Sequence, residues 1–212
     1  MERILIYLQF ITAVLAVVNY KKFYQPLAKY IILYLCLTAL EPIIAEYYGI
    51  YMGDGYNWIV INVFLFVRFM FFFILYYANL KRKLFKNTVL VFGLLYLLSL
   101  LGEIWFGDTN YHSQSQVVPY VVGAYGVWLS IILYFIEILD SKEYIRLEKT
   151  ILFWVSLAYF FYFIGFILLK INQETLISNY VDYYIAIVMF LTLLMNVILI
   201  IGILWSRPRE KQ

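Results

Sequence analysis

NWIVINVFLFVRFMFFFILYYAN, residues 57–79, carries one formal charge, Arg68, and contains neither glycine nor proline. As a helix rising 1.5 Å per residue it is about 34 Å long, enough to cross a hydrocarbon core of about 30 Å. The run is continuous rather than alternating, and it far exceeds the roughly 9–11 residues of a membrane strand. Six other runs read the same way: Arg3–Tyr20, Leu27–Gly49, Leu84–Phe106, Val118–Leu139, Thr150–Ile171 and Val181–Trp205. Each is bounded by charge clusters or by turn formers such as Met52-Gly53-Asp54-Gly55. The expected fold is all-α, a polytopic seven-transmembrane-helix bundle forming one domain over residues 1–212. Its loops are short, the longest being Gly107–Val117 and Asn172–Tyr180.

Composition agrees with lipid as the solvent. Apolar residues make up 65% of the 212 and charged residues 14%, against about 45–50% and about 25% in soluble domains. A chain this small has too much surface to hide so many apolar side chains from water. The 22 Tyr and 18 Phe pack helices and anchor membrane interfaces without needing a cofactor. The net charge of +3 is no nucleic-acid footprint, because the basic residues lie in short loops rather than along one stripe.

Orientation follows from Lys and Arg. Of the 16, all but Arg3, Arg68 and Lys170 fall on one side of the expected spans. Lys21, Lys22 and Lys29 share that side with Lys81, Arg82, Lys83 and Lys86, with Lys142, Arg146 and Lys149, and with the tail residues Arg207, Arg209 and Lys211. Basic loops stay in the cytoplasm, so the N-terminus is expected outside and the C-terminus inside. The apolar stretch from Ile4 to Val18 is longer than the usual apolar core of a leader and lacks a small-x-small cleavage site before Lys21-Lys22. It reads as a retained first helix.

Ionisable groups within a bilayer are costly, and each is a site hypothesis. Arg68 lies mid-span, and Glu41 in the second run sits at nearly the same depth, beside Pro42. A guanidinium held by a carboxylate is the expected solution, since no water competes there. Pro42 removes a backbone N–H and leaves the Thr38 carbonyl as a further acceptor. Such a pair is either a packing device or a ligand site, and both readings stay open. Glu46 and Glu103 lie near outer helix ends. With Asn62, Asp182 and Tyr183 they line an outward-facing polar pocket or are ordinary solvated carboxylates. Glu137, near an inner helix end, reads as a solvated interfacial acid. Thr192 and Asn196, four apart, read as partners in interhelical hydrogen bonds.

Several chemistries lack their residues. Cys36 is the single cysteine, with neither a disulfide partner nor C-x-x-C spacing. The single histidine, His112, lies in a loop, whereas intramembrane metal hydrolases draw several His ligands from their helices and a catalytic zinc takes three protein ligands. There is no G-x-S-x-G, no H-E-x-x-H, no Gly-rich phosphate loop and no lysine within 181–205 for a retinal Schiff base. No cofactor, metal or catalytic set is therefore expected.

Ile131-Ile132-Leu133-Tyr134-Phe135-Ile136-Glu137-Ile138-Leu139-Asp140-Ser141, followed by Leu152-Phe153-Trp154-Val155-Ser156 and Tyr162-Phe163-Ile164-Gly165, resembles a group of small seven-helix membrane proteins of Bacteroidetes bacteria. Glu41 and the closing Ile201-Gly202-Ile203-Leu204-Trp205-Ser206 match the same group. The chain departs from it at Arg68, where the group carries an acidic residue. The layout is also similar to the membrane half of bacterial seven-helix sensory receptors, which implies an inner-membrane sensor or a partner protein. The expected function is a sensory or accessory subunit acting in the lipid bilayer through a membrane or cytoplasmic signalling partner. A small transporter or channel is the alternative, and an intramembrane lipid-modifying enzyme the last.

Overall fold

The computed structural model describes residues 2–22, 26–52, 58–107, 110–111, 114–140 and 150–206. Of these, 91% are helical and none lies in a strand, which is the class that continuous apolar runs predict. The helices are α1 (Glu2–Val18), α2 (Pro26–Met52), α3 (Trp58–Asn79), α4 (Lys83–Phe106), α5 (Val118–Leu139), α6 (Ile151–Ile171), α7 (Gln173–Asn179) and α8 (Val181–Trp205). Ala28–Tyr51 within α2, together with α3, α4, α5, α6 and α8, are the six segments long and apolar enough to cross a membrane. Proline falls where a helix tolerates it: Pro26 opens α2 and Pro119 sits in the first turn of α5, where the missing N–H has no intrahelical acceptor.

Two stretches differ from expectation. At 17 residues, α1 is about 25 Å long, and it ends at Val18 rather than Tyr20. Asn19 Nδ2 bonds the Leu15 carbonyl at 2.8 Å, and Tyr20–Lys22 tightens into a 3-10 turn. The stretch Asn172–Tyr180, expected as a loop, instead contains α7, which packs on α8. A helical turn lets backbone groups near a membrane surface find local partners. Gly53-Asp54-Gly55, Asp108, His112, Lys142, Arg146, Lys149, Arg207, Arg209 and Lys211 lie outside the described residues.

The chain forms two compact units, Met1–Ala39 with Ile138–Gln212, and Leu40–Glu137. In the first, α6 packs along α8 and α1 packs on α8. Lipid tails are as apolar as leucine, so helices associate there through close packing and interhelical hydrogen bonds. Both devices are present. Gly202 lies against Trp154, and a Cβ at Gly165 would stand 2.5 Å from Leu191. Thr12 Oγ1 donates to Asn196 Oδ1 at 3.0 Å, while Asn196 Nδ2 donates to the Thr192 carbonyl at 2.8 Å. The buried Ala13 and Ala16 beside Thr12 let α1 come close.

In the second unit, α3 turns Leu65, Phe69, Phe72, Phe73 and Tyr76 inward, the i, i+3, i+4 recurrence of one helix face. Gly123 on α5 admits the rings of Phe69 and Tyr96, and Gly126 admits Phe92 and Phe73. Phe69 meets Tyr120 edge-on, with centroids 5.5 Å apart. Outward, α4 presents Leu90, Leu94, Leu98 and Leu101. An apolar face of that extent would drive association in water and is ordinary against lipid.

Gly202 and Gly102 offer a matched test. A methyl at Gly202 would collide with Trp154 Cβ, which cannot swing away, whereas nothing lies within 4 Å of one at Gly102. Gly202→Ala should lower stability by about 1–3 kcal/mol, the usual cost of overpacking. Gly102→Ala should leave it unchanged or raise it. Unfolding of the two variants in mixed micelles reads the difference directly.

Candidate functional site

Arg68 lies at the middle of α3, where a charge costs about 2.5–3.5 kcal/mol to insert. The structure brings it to Glu41 of α2: Arg68 Nη2 donates to Glu41 Oε2 at 2.5 Å. Both side chains are mostly enclosed, at 13% and 15% exposure. Joined, they present little net charge to lipid, and the attraction gains from the low dielectric that penalises each ion alone. Pro42, next to Glu41, leaves α2 helical from Pro26 to Met52. Thr38, whose carbonyl loses its proline-side donor, sends its own hydroxyl to the Leu35 carbonyl at 3.0 Å.

Asn62 was expected at the wall of a polar pocket. Its side chain is instead buried and spent on the segment joining α4 to α5. Its Nδ2 donates to the carbonyls of Tyr111 at 3.1 Å and Gln114 at 2.9 Å, and its Oδ1 accepts from the Gln116 backbone N–H at 3.1 Å. Gln116, wholly buried, returns its Nε2 to the Asn62 carbonyl at 3.3 Å. A carboxamide has two donor hydrogens and an acceptor, so it fastens backbone of both polarities. Asn62 acts here as a clamp on the segment that enters α5.

Glu103, in the last turn of α4, accepts a hydrogen bond from the Tyr111 hydroxyl at 3.1 Å. The Tyr111 phenol is pushed well above its ordinary range, first by burial and then by the neighbouring Glu103 carboxylate, which opposes a second negative charge and holds the proton. Glu103 and Asn62 thus grip the same connecting segment from two helices. Glu46 is exposed on α2. Asp182 and Tyr183 belong to the other unit, where both are exposed in the first turn of α8.

Glu137, expected as a solvated interfacial acid, also accepts the backbone N–H groups of Lys81 at 2.6 Å and Arg82 at 2.9 Å. Arg82, at the N-cap of α4, makes no side-chain cap bond, so the helix start draws its acceptor from α5. A carboxylate at a helix N-terminus also complements the positive end of the dipole. The signal in the sequence is an omission, since Leu80, Lys81 and Arg82 supply no Ser, Thr, Asp or Asn cap. Thr12 and Gln116 leave no such trace. Among the described residues, no three of His, Cys, Asp and Glu come together as a metal site.

The Arg68–Glu41 contact predicts strong coupling. Arg68→Leu or Glu41→Leu alone leaves one buried charge uncompensated and should cost about 3 kcal/mol or more. The double variant should recover a large part of that loss, as read in a double-mutant cycle of unfolding or of folded yield. Additive losses would show that the two groups act separately.

No family model, curated protein or solved structure matches the chain.

Proposed function

We propose that this chain is a seven-span subunit of a bacterial inner membrane, N-terminus outside and C-terminus in the cytoplasm, that senses or assists through a partner protein. Support for α1 as the seventh span comes from its hold on α8 through Thr12 and Asn196, a bond suited to a permanent helix rather than a removable leader. Support for the orientation comes from the one-sided distribution of Lys and Arg. The likeness to small seven-helix proteins of Bacteroidetes and to receptor membrane halves points the same way.

The observation that carries the subunit role is the Arg68–Glu41 pair set between two unbroken helices. Transporters build midplane sites from broken helices whose unwound backbone meets the solute. Here α2 continues through Pro42 and α3 contains no glycine or proline. A charge pair in low dielectric is stable when joined and costly when parted. It is therefore a two-state element that a ligand or partner helix can bias by offering Arg68 another anion.

Reporter fusions after Lys22, Arg82, Lys142 and Arg209 should report cytoplasm, and fusions near Asp54, Asp108 and Gln173 the outside. A cytoplasmic N-terminus would sink the orientation. For the role itself, the chain extracted gently from its host should migrate as a complex larger than itself. The charge-free Arg68→Leu, Glu41→Leu double variant should fold yet leave that complex. Solute or ion flux by the purified chain alone in liposomes would overturn the subunit reading in favour of a transporter or channel.

A further inference from the structure

The start of α4 concentrates positive charge. Lys81, Arg82 and Lys83 are exposed, and Lys86 follows one turn later, half-buried. The Arg82 guanidinium carbon lies 5.3 Å from the centroid of Phe85, and Lys86 Nζ lies 5.5 Å from that of Tyr77. Rings so placed restrain the two cations by cation–π attraction, and such aromatics favour the membrane interface. Leu84, within the cluster, is 73% exposed, and Leu90 deeper along α4 is 51% exposed, so apolar surface borders the charge on the lipid side.

Glu137 defines what the cluster can read. Its carboxylate already accepts from the amides of Lys81 and Arg82, just ahead of α4, so the cationic side chains are the groups that the cluster adds for an arriving anion. Lys83 and Lys86, on α4 itself, add two further positive charges beside the turn that Glu137 holds. Cations at headgroup level, an aromatic shelf beside them and aliphatic side chains below match an anionic lipid with a phosphate above its acyl chains.

We propose that the α3–α4 turn and the first turn of α4 bind the headgroup of an anionic phospholipid, with Lys83 and Lys86 as phosphate contacts and Leu84 against the acyl chain. This gives the subunit a lipid it selects, beyond the bilayer that merely surrounds it. The inference shares with the proposed function only the reading of α3 and α4 as spans.

The test places the full chain in nanodiscs of mixed phosphatidylcholine and phosphatidylglycerol and measures the lipids retained on release by native mass spectrometry. Both leaflets carry the same mixture, so a failure here is separable from a failure of the orientation. Wild type should retain phosphatidylglycerol preferentially. Each cation near a charged surface is worth about fivefold in affinity, so Lys83→Gln with Lys86→Gln should lower the preference about 25-fold. Lys83→Arg with Lys86→Arg should keep it, and Lys21→Gln, in the other unit, should leave it unchanged. Lys83→Gln alone, at an exposed position, gives a version of the test in which folding is not at risk. Equal retention of the two lipids by wild type would overturn the proposal and leave the cluster to an acidic protein segment. An equal loss with Lys21→Gln would overturn it by showing charge without a site. Displacement of the lipid by inorganic phosphate would overturn the lipid assignment.

Discussion

Within a bilayer no water is available to satisfy a polar group, and the described structure follows from that constraint. Helices answer it for the backbone. Side chains answer it locally: the hydroxyls of Thr88 and Ser130 return to the carbonyls of Leu84 and Gly126 four residues earlier. The amides of Asn79 and Asn196 return in the same way to Leu75 and Thr192. Most polar residues inside the spans are thereby self-contained. Others reach between helices, as Thr12 does to Asn196 and Arg68 to Glu41.

The contacts between these elements use size where a soluble core would use the hydrophobic effect. Gly123 and Gly126 exist in α5 as slots for the rings of α3 and α4, and Gly202 for the indole of Trp154. Abundant aromatics suit such packing, because one ring fills a gap that several methyls would fill less rigidly. Phe69 serves several partners at once, meeting Tyr96 at 5.1 Å and Tyr120 at 5.5 Å. The unit Leu40–Glu137 therefore joins a stiff aromatic centre to an intramembrane ion pair on the same helix, α3.

Its two ends are tied by different chemistry. At one, Asn62 and Glu103 hold the segment entering α5 through neutral amide bonds and a phenol–carboxylate contact. At the other, Glu137 closes the turn into α4 with a charge-assisted bond to two amides. The first tie fixes the segment between α4 and α5. The second stands among the cationic side chains that open α4.

Continuous apolar runs with charges only at their ends determined the helices by themselves, because chain length against bilayer thickness and backbone satisfaction leave no other solution. The pairing of Arg68 with Glu41 was legible for a related reason: two opposite charges at one depth have no cheaper partner in lipid. The short helix Gln173–Asn179 was not legible, since a polar stretch near a membrane surface carries no periodicity strong enough to separate helix from loop. Nor were the duties of Asn62, Gln116 and Glu137. Each of these bonds the backbone of a segment remote in sequence, and a backbone acceptor or donor has no residue type to betray it. Only the tertiary arrangement, which brings Tyr111, Gln114 and Gln116 to Asn62 and the Lys81 and Arg82 amides to Glu137, decided that these polar groups hold the fold together.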